Sequence, residues 1–150
     1  FTTLLLAQNE ASTSHHASAC QGNGKFHDNN LKVDARGIMN KNTSSSIWVT
    51  CPVPVTIYRD MPPTDALASI SVANFGDIAA EFRCAFKGIE MGSNGIEGIG
   101  SSKSAVVSPG GAVSFSWEFR DAEMRIAAIE CKLPPLGGVT LYVTAFGSIF

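Results

Sequence analysis

Charged side chains are scarce in this sequence. Asp, Glu, Lys and Arg make up 16% of the 150 residues, against about 25% in typical globular domains. The eleven Lys and Arg are scattered singly and the net charge is −2, so no basic stripe is available for nucleic acid. Long apolar runs are lacking too, because Leu4-Leu5-Leu6-Ala7 falls far short of the roughly 20 residues of a membrane helix. We therefore expect no nucleic acid partner and no membrane span.

Motifs for catalysis and cofactor binding are also missing. The sequence contains no G-x-S-x-G, S-x-x-K or H-E-x-x-H pattern and no dinucleotide fingerprint. Gly24-Lys25 is followed by Phe26, where a phosphate-binding loop requires Ser or Thr. These absences predict a protein that is not an enzyme and that needs no cofactor.

A metal site has little support. His15, His16 and His27 could form one with Asp28, but adjacent residues on a strand point to opposite faces. We therefore favour polar loop residues beside a disulfide. A structural calcium ion held by loop carboxylates is a second alternative, and it would use Asp60, Asp65 and Asp77.

What the sequence does contain is an even set of cysteines without zinc-site spacing. They are Cys20, Cys51, Cys84 and Cys131. An even count in a chain of low charge favours disulfides, and disulfides indicate an oxidising compartment. The sequence therefore predicts a secreted protein, extracellular or at the cell surface, with free buried thiols as the alternative.

Apolar and polar residues alternate in several segments, which is typical of half-buried strands. The clearest are 47–53, 81–87, 113–119 and 127–133. Cys84 and Cys131 both lie on apolar rows, so facing sheets could bring them within bonding distance. Cys20, in a polar Gly-rich stretch, is then left to bond Cys51 and to tie down the N-terminal region.

Shorter strand signals and turn residues complete the fold prediction. Further strands are expected at 54–59, 67–75, 104–108 and 138–146, and 120–127 could hold one helical turn. Pro- and Gly-rich turns separate these segments. The pattern predicts an all-β, antiparallel β-sandwich, either immunoglobulin-like or jelly-roll, with about seven to nine strands and two disulfides.

Residues 88–104 carry too many glycines for a regular strand interior. We expect a long hairpin excursion or a surface loop there. Its Asn94 and Glu97 could hydrogen-bond sugar hydroxyls, and Trp48, on the non-core row of its strand, could supply an aromatic platform. Trp48, Asn94 and Glu97 are therefore the candidate ligand-binding residues, although Trp48 could equally pack against a loop or a neighbouring chain.

The N-terminal segment is apolar and resembles a strand. The chain opens on Phe1 with neither Met nor a charged start, so we expect a processed terminus or the end of a leader near Ala7. Such a terminus is fixed when it docks into a sheet or groove, either in its own domain or in a neighbouring subunit. The proposed division is an arm and hinge at 1–14 and a sandwich at 15–150. The candidate donor-strand residues are Phe1, Thr3, Leu4, Leu5 and Leu6.

Several short motifs resemble a group of uncharacterised bacterial secreted proteins. They are His16-Ala17-Ser18-Ala19-Cys20-Gln21, Gly37-Ile38-Met39-Asn40, Trp48-Val49-Thr50-Cys51-Pro52-Val53, Cys131-Lys132-Leu133-Pro134-Pro135 and Leu141-Tyr142-Val143. The resemblance implies export and a β-sandwich, and it implies no activity. By analogy of function, strand donation resembles bacterial pilins that exchange strands.

Two functional hypotheses follow. The first is an extracellular structural subunit that polymerises with copies of itself into a filament or pilus, through addition of the N-terminal strand to a neighbour. The alternative is a secreted β-sandwich module that binds surface glycans through Trp48 or the 88–104 segment.

Overall fold

The computed structural model describes residues 10–53, 65–92, 95–120 and 124–147. Within these residues eleven strands and one short α-helix are present. In chain order the elements are β1 (Glu10–His16), β2 (Gln21–Gly22), α1 (Lys25–Asn29), β3 (Leu31–Asp34), β4 (Gly37–Asn40), β5 (Ile47–Val53), β6 (Asp65–Asn74), β7 (Ala80–Gly92), β8 (Gly95–Val107), β9 (Ala112–Arg120), β10 (Met124–Leu133) and β11 (Gly137–Gly147). None of the described helices is long and apolar enough to cross a membrane.

The strands form two antiparallel sheets. One has six strands, in the order β3-β4-β11-β6-β9, with β1 also paired to β11. The other has five strands, in the order β2-β5-β10-β7-β8. From β5 onward the chain changes sheet at every connection except the one between β7 and β8. The predicted antiparallel β-sandwich is therefore confirmed. The strands outnumber the expected seven to nine because β2, β3 and β4 have two or four residues, too few to show alternation.

The core lies between the sheets and consists of the apolar rows seen in the sequence. The five-stranded sheet contributes Ile47, Val49, Cys51, Val53, Phe82, Cys84, Phe86, Ala127, Ile129, Cys131 and Leu133. The six-stranded sheet contributes Ala68, Ile70, Val72, Phe115, Trp117, Val139 and Tyr142. Burying one large apolar side chain contributes roughly 1.5–3 kcal/mol, so these rows dictate which face of each strand points inward.

Both disulfides have the predicted pairing, but one has an unexpected geometry. Cys84 and Cys131 are register partners on the neighbouring strands β7 and β10, and do not join facing sheets as the sequence suggested. Their Cα atoms lie 4.1 Å apart, since directly opposite residues of an antiparallel pair already approach within bonding distance. Cys20 bonds Cys51 and so ties the segment before β2 to β5.

The side-chain amides of Asn40 and Asn74 are fully buried and hold loops against the strands. The Asn40 amide Nδ2 donates to the carbonyl oxygens of Ser45 at 2.8 Å and Pro134 at 3.1 Å, and to that of Leu133 at 3.3 Å. Its Oδ1 accepts the Asn42 backbone N–H at 3.0 Å. This side chain therefore joins the loop after β4 to the end of β10 and helps to satisfy their buried carbonyl groups.

Some segments differ from their predicted form. Residues 88–104 were expected to form a long hairpin or a surface loop; residues 88–92 and 95–104 form the hairpin of β7 and β8, but as regularly paired strands despite their glycines. In the 120–127 segment, residues 124–127 are strand, and the helix lies instead at α1. The predicted hinge includes residues 10–14, which pair with β11 as part of β1. The 54–59 strand and Phe1, Thr3, Leu4, Leu5 and Leu6 lie outside the described residues.

Candidate functional site

The outer face of the five-stranded sheet carries the side chains that alternate with the core. Register places them in rows that run across the strands. Going from β5 through β10 and β7 to β8, these outer residues are Trp48, Thr50, Pro52, Ala128, Glu130, Lys132, Arg83, Ala85, Lys87, Gly100, Ser102 and Ser104.

This face contains an open, shallow depression of about 400 Å³. Its floor consists of small residues: Ala85 lies opposite Ser102, and Gly100 lies opposite Lys87. Trp48 stands at one side and is partly exposed. The full lining consists of Trp48, Arg83, Ala85, Lys87, Gly100, Ser101, Ser102 and Glu130. A depression of this shape suits an extended ligand more than an enclosed small molecule.

A chain of hydrogen bonds fixes the polar groups beside the depression. The Lys87 ammonium lies 2.9 Å from Glu130 Oε1 and forms an ion pair with it. Glu130 Oε2 accepts the Asn23 amide N–H at 3.1 Å, and Asn23 Oδ1 accepts the Thr50 hydroxyl at 2.5 Å. Both carboxylate oxygens of Glu130 are thus in use, and the side chains are held in place before any ligand arrives.

The backbone of Trp48 is anchored at the β2 edge of the sheet. Its N–H donates to His27 Nδ1 at 3.1 Å, and its carbonyl oxygen accepts the Asn23 backbone N–H at 2.9 Å. Helix α1 lies so close to β2 that a Cβ on Gly22 would meet the Asp28 backbone nitrogen at 2.3 Å. The backbone that carries the Trp48 ring is therefore held beside a tightly packed helix.

The structure brings one of the three predicted ligand-binding residues to this depression. Trp48 is among the lining residues, whereas Asn94 lies outside the described residues. Glu97 lies in β8 opposite Glu90, about 10 Å further along the strand than Gly100.

Sequence reasoning assigned no function to the other residues of the depression. It did place Arg83 and Lys87, and also Glu130 and Lys132, on the polar rows of their strands. The missing information is that β7 and β10 are neighbours, with Lys132 opposite Arg83. These lining residues could have been suggested by treating the outward-facing polar residues of all predicted strands as one candidate set.

The histidines make structural contacts; His15 and His16 lie in β1 and His27 lies in α1. His15 stacks on Tyr142, with ring centroids 4.8 Å apart, and His16 Nδ1 accepts the Ser18 N–H at 3.0 Å. His27 receives the Trp48 N–H described above. In the described ranges no three His, Cys, Asp or Glu side chains group as a metal ion would require. Of the calcium candidates, Asp77 is exposed, Asp65 begins β6, and Asp60 lies outside those ranges.

A second depression, of about 570 Å³, lies where the edges of β8 and β9 meet. Its two aromatic residues, Trp117 and Phe86, are 5% and 3% exposed, and Lys103 lies over the Trp117 ring at 5.8 Å. Lys103 also donates to the Ser116 carbonyl oxygen at 2.5 Å. Among the described residues, the buried indole N–H of Trp117 has no hydrogen-bond partner. Because the ring is covered, this depression offers less aromatic surface for stacking than the Trp48 depression.

Comparison with known proteins defines a fold class. No protein-family model and no curated protein sequence matches the chain, so neither supports the resemblance to bacterial secreted proteins. Solved structures do match. The CBM22-1 xylan-binding domain of Paenibacillus barcinonensis Xyn10C has a TM-score of 0.56 at 10% identity, with 93% of this chain and 95% of that chain covered. The xylan-binding module CBM15 has a TM-score of 0.52 at 11% identity, covering 92% and 97%.

A longer enzyme chain matches as well. The CBM22-1–GH10 modules of Clostridium thermocellum xylanase 10B, solved with xylohexaose, have a TM-score of 0.57 at 11% identity. The match covers 89% of this chain and 27% of that chain, so the present chain spans about a quarter of the xylanase chain's length. This protein has the β-sandwich fold of carbohydrate-binding modules, and its disulfides and fold are compatible with an extracellular location.

These matches overturn the first functional hypothesis. The chain was expected to be a filament or pilus subunit that polymerises through its N-terminal strand. The similar structures are carbohydrate-binding sandwiches, and nothing in them supports polymerisation. The expectation rested on an apolar terminus alone, and a Leu-rich segment does not specify where it docks.

Proposed function

We propose that this chain is a secreted, extracellular glycan-binding domain that does not catalyse a reaction. The observation that carries the proposal is the partly exposed Trp48 beside an open depression with fixed polar groups. A sugar ring has an apolar face that packs on an aromatic ring, and it has hydroxyl groups that need hydrogen-bond partners. The carbohydrate-binding fold of the similar structures supports the proposal.

The arrangement favours binding over hydrolysis. Most glycosidases use two carboxyl groups, about 5 to 10 Å apart, on either side of the scissile bond. Among the described residues that line the depression, Glu130 is the one carboxylate, and both of its oxygens are engaged by Lys87 and Asn23. A carboxylate held in that way orients neighbouring groups and is poorly placed to exchange protons with a substrate.

Replacing the aromatic platform tests the proposal. We expect Trp48→Ala to weaken glycan binding about 30-fold, because truncation of a Trp anchor commonly costs about 2 kcal/mol. Binding to a panel of soluble polysaccharides is measured by isothermal titration calorimetry, with reducing-end release as the assay for hydrolysis. Trp48→Phe should retain most of the affinity.

The matched control is Ile78→Ala, which removes an apolar side chain that is 77% exposed and lies on the loop between β6 and β7. It should bind as the unmodified protein does. Equal affinity of Trp48→Ala and the unmodified protein would refute the site, and release of reducing ends would refute the non-catalytic assignment.

A further inference from the structure

The outer face holds two cations in direct opposition. Lys132 of β10 and Arg83 of β7 are register partners, and both are exposed. Directly opposite residues on one face of an antiparallel pair have Cβ atoms about 4.5–5.5 Å apart, and like charges there destabilise the sheet. The chain as a whole carries a net charge of −2, so this local positive charge runs against its overall balance.

Within the described part of the chain neither cation forms an ion pair, although Glu81 shares the outer face of β7 with Arg83. The ion pairs found there join Arg36 to Asp34 and Lys87 to Glu130. Glu130 shares a face of β10 with Lys132, but its two oxygens already bind Lys87 and Asn23. The opposed pair therefore has both donor groups available to an anion from outside.

The aromatic platform and the cations belong to one row. Trp48 is the register partner of Lys132, Lys132 that of Arg83, and Arg83 that of Ser104. Strand spacing makes this row about 14 Å long from β5 to β8. A sugar ring stacked on Trp48 would direct its substituents, or the next ring of the chain, toward the two cations.

We propose that the glycan bound at this site is anionic, with carboxylate or sulfate groups held by Arg83 and Lys132. This inference rests on the proposed function. The planar guanidinium of Arg83 matches the two oxygens of a carboxylate or sulfate, and Lys132 adds a point charge beside it. Nucleic acid fits less well, because its affinity comes largely from neutralising many phosphates and this face offers two free cations next to one aromatic ring.

The test compares three polysaccharides of matched length: a neutral galactan, polygalacturonate and a sulfated galactan. We expect the unmodified protein to bind at least one anionic polymer more than tenfold tighter than the neutral one, and to lose that preference as salt rises from 50 to 500 mM (roughly 14 to 4 Å in screening length). In the double variant Arg83→Gln/Lys132→Gln the preference should disappear. The two anionic polymers separate a carboxylate from a sulfate ligand.

Control measurements keep the outcomes distinct. Lys32→Gln removes an exposed cation from β3 in the other sheet and should retain the preference. The double variant should also melt no lower than the unmodified protein, since it removes a repulsion; a clearly lower melting temperature would show that the cations are structural and overturn the inference.

Two further results would overturn it. Neutral galactan bound as tightly as the anionic polymers, with binding still dependent on Trp48, would reject the anionic ligand and leave glycan binding standing. No binding to any of the three, or binding to a duplex DNA oligomer instead, would reject the proposed function and this inference together.

Discussion

The buried amide of Asn40 makes the sharpest stability prediction. Its side chain is fully buried and makes four hydrogen bonds to the backbone of two surrounding segments. In Asn40→Ala the Pro134 carbonyl oxygen keeps the Gly137 N–H at 2.9 Å as a partner, so loss of the amide costs about 0.5–1.5 kcal/mol there. The partly buried Ser45 carbonyl oxygen and Asn42 N–H lose about 0.5–1.5 kcal/mol each, because water can reach them in part.

Together these losses predict that Asn40→Ala lowers the free energy of unfolding by about 2–4 kcal/mol. That is a large share of the roughly 5–15 kcal/mol by which domains are stable. It corresponds to a melting temperature lower by roughly 10 °C for a chain of this size. The assay is equilibrium unfolding in urea followed by Trp fluorescence, with ΔG taken from the midpoint and the slope.

The control is Ser71→Ala, which removes an exposed cross-strand hydrogen bond of 2.8 Å to Ser114. It should change stability by less than about 0.5 kcal/mol. The reasoning fails if Asn40→Ala falls within that same range at an unchanged slope, because the buried carbonyl groups would then have another source of hydrogen bonds.

Two further predictions concern covalent and acid–base chemistry. The double variant Cys84→Ala/Cys131→Ala opens a loop with a sequence separation of 47 and should lose about 4 kcal/mol of stability in the chain-entropy model. The loss is measured by unfolding in urea without reductant. A loss below about 1 kcal/mol would contradict the model. Burial raises the pKa of Tyr142 above its ordinary value of 10.0. The unfolded chain therefore ionises first, and stability is present below pH 10 and is lost as pH rises through the folded-state pKa. Absorbance titration of Tyr142→Phe against the unmodified protein checks this, and identical alkaline unfolding of the two would refute it.

Alternation made much of the fold predictable. The inward rows of β5, β7, β9 and β10 could be read from the sequence because burial of apolar side chains sets the face of each strand. The Cys84–Cys131 bond followed from the same rows. Its true geometry did not, since a periodicity of two says which face a residue occupies and not which strand lies next to it.

Two features could not be predicted from the sequence, the strand pairing of residues 88–104 and the composition of the candidate site. For the 88–104 segment the glycines indicated a hairpin or a surface loop, and the hairpin is present. Its regular strand pairing could not be predicted, because a strand with few side chains to pack shows no alternation. The candidate site could not be predicted because Trp48, Lys132 and Arg83 come from three distant parts of the chain, and no local pattern shows that they meet. Register alone places them in one row, and register is decided by packing of the opposite face.

The Cys84–Cys131 disulfide also affects how the outer face of the five-stranded sheet forms. Cys84 and Cys131 are one residue away from Arg83 and Lys132, and the two pairs are adjacent in register. The covalent bond therefore clamps the strands at the point where the opposed charges push them apart. Before oxidation, hydrogen bonds and packing alone would resist that repulsion. Oxidative folding would then do more than add stability, since the step that closes the bond would also complete the ligand-binding row.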